Sequence, residues 1–159
     1  MDGPNTVDWV ACLPWNDWPD SHGIGVRFHM ESVSGFSGIP SKELMPLVYW
    51  EENGIMMSNS ESKFLDNATH HYKGVQKGSG EKRNGHFYGK IMDPDGDIII
   101  VESSFTYPGS EAKFLEGTGK YKGITGGFKA TRLATGKSIM KGTYQWCRKI
   151  KGTFELPTK

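Results

Sequence analysis

Apolar and polar side chains alternate with a period of two residues over most of this sequence, and this feature constrains the fold most. Segment 23–31 is the clearest case, because its two kinds of residue occupy opposite faces of an extended chain. The apolar face holds Ile24, Val26, Phe28 and Met30, and the polar face holds Arg27, His29 and Glu31. No window of ten residues or more has the helical period. The sequence therefore predicts an all-β chain.

The same alternation predicts further strands, separated by turn-forming residues. Their predicted bounds are 47–58, 61–76, 83–93, 97–107, 112–122, 126–134, 138–148 and 152–156. Asp93-Pro94-Asp95-Gly96 predicts a tight hairpin turn, because proline presets φ and glycine accepts a positive φ. A loop is expected over 34–46, with one helical turn over 41–45 that Ser41 could cap.

Glycine is frequent, with 21 residues, and many of them lie inside the strand patterns. Glycine within a strand marks a bulge, a bend or a close approach, and a small barrel needs such bends to close. We therefore predict a single closed antiparallel barrel of about eight strands over 23–159, with a lipocalin-like architecture. Residues 1–22 hold Trp9, Trp15 and Trp18 among prolines, and they are expected to form an N-terminal arm packed on the barrel.

Charge excludes several classes of partner. The 19 basic and 18 acidic residues are interspersed and give a net charge of +1, so neither nucleic acid nor an anionic membrane is an expected partner. The basic stretch 147–151 is interpreted as a solvated strand end. No apolar run approaches the roughly 18 residues of a membrane span. A leader is not visible, and the chain is expected to be soluble, either cytoplasmic or exported after loss of a leader.

Two cysteines, Cys12 and Cys147, lie far apart in the sequence. A disulfide between them would tie the N-terminal arm to the last strands, whereas two free buried thiols explain the sequence equally well. The sequence leaves both alternatives open, and with them the redox compartment.

The segment 116–128, Glu-Gly-Thr-Gly-Lys-Tyr-Lys-Gly-Ile-Thr-Gly-Gly-Phe, resembles a signature of the allene oxide cyclase-like and dirigent-like barrels. The runs 78–80, 85–88 and 93–97, followed by an apolar strand, are also similar to bacterial relatives of these families. The resemblance covers roughly residues 60–147. It implies an eight-stranded barrel with a tapered cavity, a homodimer or homotrimer, and cofactor-free chemistry of the kind used in natural product biosynthesis. Members steer the cyclisation of reactive intermediates or orient phenoxy radicals.

The polar face of the first long strand supplies the candidate catalytic residues Arg27, His29 and Glu31. In the plant cyclase, a glutamate and an asparagine two residues later face the cavity from a comparable strand. His29 and Glu31 have the same spacing, although the order differs and no asparagine takes part. Facing inward, the three residues could supply a base, an acid and an anion anchor. Facing outward, they would simply be solvated.

Five further residues are candidates for ligand binding: Tyr88, Glu102, Tyr121, Tyr144 and Trp146. The hydroxyls of Tyr88 and Tyr121 could polarise an oxygen of the ligand. Glu102 interrupts an apolar strand, where it either anchors a ligand or lies at a solvated strand end. Tyr144 and Trp146 could line a pocket or fill the core.

No metal or cofactor is predicted. His70 and His71 are adjacent and point to opposite faces of a strand, so they cannot chelate one ion together. The aspartates at 93, 95 and 97 lack the glycine and glutamate positions of a calcium loop.

The sequence thus predicts a cofactor-independent isomerase or cyclase that confines a hydrophobic small molecule and acts by acid–base catalysis. A non-catalytic binding or carrier protein is the alternative. A third possibility, a structural module, predicts a filled barrel without a cavity.

Overall fold

A computed structural model describes residues 5–11, 26–31, 47–58, 63–137 and 143–157, with the backbone alone in the first two ranges. Within these ranges the chain forms nine strands and two short 3₁₀ turns, at Gly80–Lys82 and Gly119–Tyr121. The strands are β1 Asn5–Ala11, β2 Val26–Glu31, β3 Leu47–Ser58, β4 Ala68–Lys77, β5 Asn84–Met92, β6 Ile98–Thr106, β7 Gly109–Gly117, β8 Thr125–Gly136 and β9 Thr143–Glu155. The predicted all-β class is confirmed.

Strands β3 to β9 form one curled antiparallel sheet in sequence order. Every neighbouring pair is antiparallel, as expected for strands joined by short turns. These seven strands make a half-barrel and do not close on one another. The closed barrel of about eight strands, predicted from the glycines, is therefore not formed by the strands whose side chains are described.

The backbones of β1 and β2 lie against the two edges of this half-barrel. β2 pairs with β3 from Val26 to Glu31 and with β9 from Val26 to His29. β1 pairs with β9 along all seven of its residues and with β3 at Trp9 and Val10. Part of the predicted N-terminal arm is thus a strand, and residues 12–22 lie outside the described part of the chain.

The inner face of the half-barrel carries the large apolar side chains, as the alternation predicts. Phe87, Ile91, Ile99 and Val101 come from two neighbouring strands and are at most 2% exposed. Aromatic rings pack edge to face across the interior, for example Trp50 against Phe87 with centroids 5.1 Å apart. The rings contact one another and fill much of the space that they were expected to enclose.

Two inward-facing glycines make room for these rings. A Cβ atom on Gly74 would lie 2.6 Å from both the Cβ of Phe87 and the ring of Trp50. A Cβ on Gly89 would overlap the ring of Tyr72. Glycine inside these strands therefore allows close approach of aromatic side chains.

One end of the half-barrel, which we call the closed end, is formed by residues 63–67, 93–97 and 118–124. Phe64 stacks on Phe154 with centroids 3.7 Å apart, and Leu65 is 2% exposed. The prediction of a strand over 61–76 was wrong at its start, because Lys63, Leu65 and Asn67 have positive φ angles. Residues 64–67 form a turn, and the strand begins at Ala68.

The buried carboxylate of Asp93 joins two turns at the closed end. Its Oδ1 accepts hydrogen bonds from the backbone nitrogens of Asp95 and Asp97, which shapes the predicted hairpin turn. Its Oδ2 accepts from the Tyr121 hydroxyl at 3.0 Å and lies 2.5 Å from Lys120 Nζ. Much of the glycine-rich segment 116–128 thus holds the two turns together.

We predict that Asp93→Ala lowers the free energy of unfolding by about 2–3 kcal/mol, because its buried partners lose a charged acceptor. Asp95→Ala is the matched control, since Asp95 is exposed and pairs with the same Lys120 Nζ at 2.6 Å. An exposed ion pair contributes about 0–1 kcal/mol. Urea denaturation measures both values. Equal losses in the two variants would contradict the role given to Asp93.

Other predicted strand boundaries differ from the structure. The strand predicted over 112–122 was wrong at its end, because β7 stops at Gly117 and Gly119, with a positive φ angle, begins a 3₁₀ turn. The described part of the predicted strand 138–148 continues into the predicted strand 152–156 as one strand, β9, because Gly152 stays extended and pairs with Phe128. The helical turn predicted over 41–45 lies outside the described residues. Among the residues described, none belongs to a helix long and apolar enough to cross a membrane.

Candidate ligand-binding site

A pocket lies at the other end of the half-barrel, which we call the open end. It offers about 50 Å³ that water-sized groups can occupy, within about 470 Å³ of empty space that includes solvent at its mouth. Five of its described lining residues are aromatic, and the charged ones are arginines. The lining residues are Trp50, Gln76, Arg83, Phe87, Phe105, Tyr107, Pro108, Gly109, Ser110, Ala130, Arg132, Trp146 and Arg148.

The three arginines alternate with two aromatic rings in a row that we call the arginine ladder. Its order is Arg83, Tyr107, Arg132, Trp146 and Arg148. The Arg83 guanidinium lies 4.5 Å from the Tyr107 ring centroid, and that of Arg132 lies 5.9 Å from the same ring. The Trp146 centroid is 4.0 Å from Arg132 and 4.8 Å from Arg148. These separations are those of cation–π contacts, so the rings stabilise the guanidinium groups and fix their positions.

A backbone hydrogen bond and the pairing of two strands position the residues of the arginine ladder. Tyr107 N donates to Arg83 O at 3.2 Å, which holds the start of β5 beside the turn after β6. Arg132 and Arg148 are direct partners across β8 and β9, and the pairing register shifts just after Arg132. Bulges of this kind re-aim side chains next to functional sites. Like charges directly opposite each other on a sheet are destabilising, so the sheet holds two cations together at a cost.

One end of the arginine ladder is neutralised by a buried carboxylate. Arg148 Nη2 donates to Glu52 Oε2 at 2.5 Å, and Glu52 is 1% exposed. Burial alone would raise the pKa of Glu52, but the nearby charge of Arg148 and the contact with His70 outweigh it and lower the pKa. Glu52 is therefore ionised at neutral pH.

Glu52 also has a histidine and a tyrosine beside it in the interior. His70 Nε2 lies 3.4 Å from Glu52 Oε1, too far for a strong hydrogen bond but close enough for electrostatic attraction. His70 stacks on Tyr72 with centroids 4.6 Å apart. Burial, and then the charge of Glu52, raise the pKa of the Tyr72 hydroxyl, which stays protonated at physiological pH.

Among the described residues, the opposite end of the ladder has no such partner. Within the described part of the chain, neither Arg83 nor Arg132 has a carboxylate oxygen within 4 Å. Partial burial, followed by the charges of Arg83 and Arg148, lowers the pKa of Arg132 to about 10. Arg132 remains a cation at neutral pH, in surroundings that an anion would make more favourable.

Glu102 and Tyr88 of the predicted ligand-binding set lie on the outer face of the sheet. The Tyr88 hydroxyl donates to Glu102 Oε1 at 2.7 Å, and His86 Nε2 lies 3.2 Å from the same oxygen. The hydrogen bond to Glu102 raises the pKa of Tyr88. Tyr88 is 52% exposed, so this cluster does not face the pocket.

The other three residues of that set are widely separated. Tyr121 is buried at the closed end, where its hydroxyl donates to Asp93. Tyr144 is exposed and does not line the pocket. Trp146 lines the pocket and contacts two arginines of the ladder.

The side chains of the predicted catalytic residues Arg27, His29 and Glu31 lie outside the described residues. Their backbones pair with Asn53, Glu51 and Tyr49, in that order. The Glu51 carboxylate is 39% exposed and lies 2.6 Å from His71 Nε2.

Arg83, Arg132 and Arg148 were not predicted as site residues. The interpretation of 147–151 as a solvated strand end was wrong, because Arg148 lies inside β9 with its side chain only 14% exposed. A usable signal was present in composition: the chain has four arginines and 15 lysines, and three of the arginines line this pocket. The lining residues described include no lysine.

Within the described ranges, no group of three or more histidine, cysteine or acidic side chains could hold a metal ion. Cys147 is disulfide-bonded. The chain's other cysteine, Cys12, lies outside the residues described.

Comparisons with known proteins give no relative from which to transfer a function. No family model matches the chain, and neither a curated protein nor a solved structure matches it.

Proposed function

We propose that this chain binds a small organic molecule in the pocket at the open end of its sheet. The observation that carries the proposal is the convergence of three of the four arginines and several aromatic rings on one concave site. Ligand sites in proteins are typically apolar concavities with a few fixed polar groups. The described lining has this composition, with the arginine ladder as its polar part.

The proposal includes closure of the barrel by β2. Its support is that the backbone of β2 pairs with both β3 and β9, the two edges of the half-barrel. Closure would wall the pocket on the side of Glu52, since Phe28 pairs with Glu52 in the register. An eight-stranded barrel would also agree with the resemblance to the allene oxide cyclase-like and dirigent-like families, which remains part of the proposal.

The test uses a pocket-filling variant and an environment-sensitive probe, 1-anilinonaphthalene-8-sulfonate. Ser110 lines the pocket, so Ser110→Phe occupies its space without removing an arginine. Ser104 lies on the outer face of the neighbouring strand, beside a shallow outer groove, and Ser104→Phe is the matched control. We expect Ser110→Phe to weaken binding at least tenfold and Ser104→Phe to leave it unchanged. Equal affinity in all three proteins, or a loss only in Ser104→Phe, would contradict the proposed site.

Cofactor-independent isomerisation or cyclisation is the second proposed function. The arginine ladder supports it, because fixed cations can stabilise negative charge that develops on a substrate oxygen. The arginines that line the described pocket stay protonated at neutral pH and are poor proton carriers. Proton transfer would need further groups, for which the sequence supplies His29 and Glu31. Their backbones pair with Glu51 and Tyr49, which face outward, so the register gives no support to this part of the proposal. If Glu31→Gln and His29→Ala turned over the substrate at the wild-type rate, acid–base catalysis by these residues would be excluded.

A further inference from the structure

We propose that the ligand is an organic carboxylate, with its oxygens bound between Arg83 and Arg132 and its flat apolar part against the aromatic wall of the pocket. This inference rests on the proposed function and names the chemical class of its ligand. The charge along the arginine ladder favours an anionic ligand. Three guanidinium groups face one carboxylate, Glu52, which caps the ladder at Arg148. Arg83 and Arg132, at the other end, are the two that lack a cap within the described residues.

The kind of cation in the pocket also favours a carboxylate. Guanidinium presents a flat fork of N–H donors that matches the two oxygens of a carboxylate, whereas lysine offers a compact point charge. Lysines outnumber arginines in this chain by 15 to four, yet every basic residue in the described pocket lining is an arginine. Arg148 already pairs with the carboxylate of Glu52, so a carboxylate is a partner that these arginines can bind here.

The described pocket has room for a small anionic group beside its arginines. A water needs roughly 10–15 Å³ of such volume, so the 50 Å³ corresponds to roughly three to five water positions. The rings of Phe87 and Phe105 line the same pocket and offer a surface for a planar apolar group.

The experiment is a set of NMR titrations of the whole chain with benzoate, benzamide, acetate and phenyl phosphate. We expect benzoate to bind at least tenfold more tightly than benzamide, which has the same shape without the charge. Acetate should bind at least tenfold more weakly than benzoate, because it lacks the ring. Phenyl phosphate should bind no more tightly than benzoate.

Three substitutions at two positions of β8 show which cation attracts the ligand's charge. Arg132→Gln should weaken benzoate at least tenfold and leave benzamide unchanged. Lys129→Gln removes the same charge three residues away on the outer face, where Lys129 is 74% exposed, and should change neither. Arg132→Lys keeps the charge without the fork, and we expect an intermediate loss. Because Arg132 has no carboxylate within 4 Å in the described chain, these variants leave no acid unpaired and should stay folded.

The outcomes separate the ligand class from the proposed function. If benzamide binds as well as benzoate, and Ser110→Phe abolishes both, the carboxylate is wrong and the binding site stands. Tighter binding of phenyl phosphate would replace carboxylate by phosphate. If no probe shifts the signals of pocket residues, the proposed function fails together with this inference.

Discussion

Replacing Glu52 by Gln is expected to lower the free energy of unfolding by about 3–5 kcal/mol, the loss typical of breaking one side of a buried ion pair. The substitution keeps the shape of the side chain and removes the charge that neutralises Arg148. Arg148 would then stay largely buried beside Trp146, with Arg132 as its direct partner across the sheet. Chemical denaturation of wild type and variant measures the difference.

The neighbouring residue provides a matched control. Glu51 is one position away on the outer face and lies within 4 Å of His71 and Lys73. Because these pairs are exposed, Glu51→Gln should cost about 1 kcal/mol or less. A similar loss from Glu51→Gln and Glu52→Gln would mean that the charge at position 52 is not buried in the folded protein.

The Glu52 carboxylate should also make the free energy of unfolding fall as the pH is lowered. The pKa of Glu52 is lowered in the folded protein, so the folded state binds fewer protons than the unfolded state around that pKa. Its stabilising contribution is fully present above the ordinary glutamate value of 4.5, and it is lost as pH falls toward the lower folded pKa. Denaturation series between pH 7 and pH 3 should show a smaller loss of stability on acidification for Glu52→Gln than for wild type. Identical slopes would contradict this role.

Replacing Phe87 by Ala is expected to cost about 3–5 kcal/mol, the range for removing a buried aromatic side chain. Phe87 is 2% exposed and packs against Trp50 and Tyr72, with ring centroids 5.1 and 5.3 Å away. Its removal leaves an apolar cavity that surrounding strands cannot fill by small shifts. Tyr88→Ala is the control on the adjacent, outward position, and we expect it to cost less than about 1 kcal/mol.

The cavity in Phe87→Ala gives a second, independent measurement. Phe87 lines the pocket, so its truncation should enlarge the apolar part of the site. Cavities of this kind bind small apolar molecules, and binding to the folded state raises the melting temperature. We expect benzene to raise the melting temperature of Phe87→Ala and to leave that of wild type unchanged. If benzene stabilises neither protein, the interior has collapsed around the truncated residue, contrary to the cavity expected here.

The strands were largely predictable because the two-residue alternation shows which side chains share a face of the sheet. It separated His70, which is buried, from the exposed His71, and it located β3 at its observed bounds. Sheet pairing and turn conformation depend on contacts distant in sequence. The turn at 64–67 was missed for this reason, since alternation carries no information on the positive φ angles of Lys63 and Leu65.

The site was harder to predict because two of its arginines conflict with a simple rule. The alternation places their side chains inward, whereas a charged side chain is usually expected to face solvent. Arg132 follows Phe128 and Ala130 on one face of β8, and Arg148 stands between Trp146 and Ile150 on β9. Burial of such a charge becomes favourable only with partners from other strands. Glu52 lies 96 residues before Arg148, and no local pattern connects them.

The size of the predicted cavity could not be derived from the sequence either. Aromatic content indicated large apolar groups on the inner face, and the structure places them there. Whether such rings surround an empty space or pack together depends on their rotamers and on small residues opposite them. Gly74 and Gly89 allow the rings of Trp50 and Tyr72 to lie close to the sheet. Space consequently remains at the open end, beside the arginine ladder.

The assignment of the arginine ladder as a carboxylate site is tested most directly by a crystal structure of the chain soaked with 4-bromobenzoate. Anomalous scattering locates the bromine in such a structure. We predict a bromine peak in the pocket at the open end, with the carboxylate within hydrogen-bond distance of Arg132 and Arg83. Under the same conditions, the Arg132→Gln protein should lose this peak. A bromine peak confined to the outer face, or an empty pocket at concentrations that saturate binding in solution, would contradict the assignment of the arginine ladder as the ligand site.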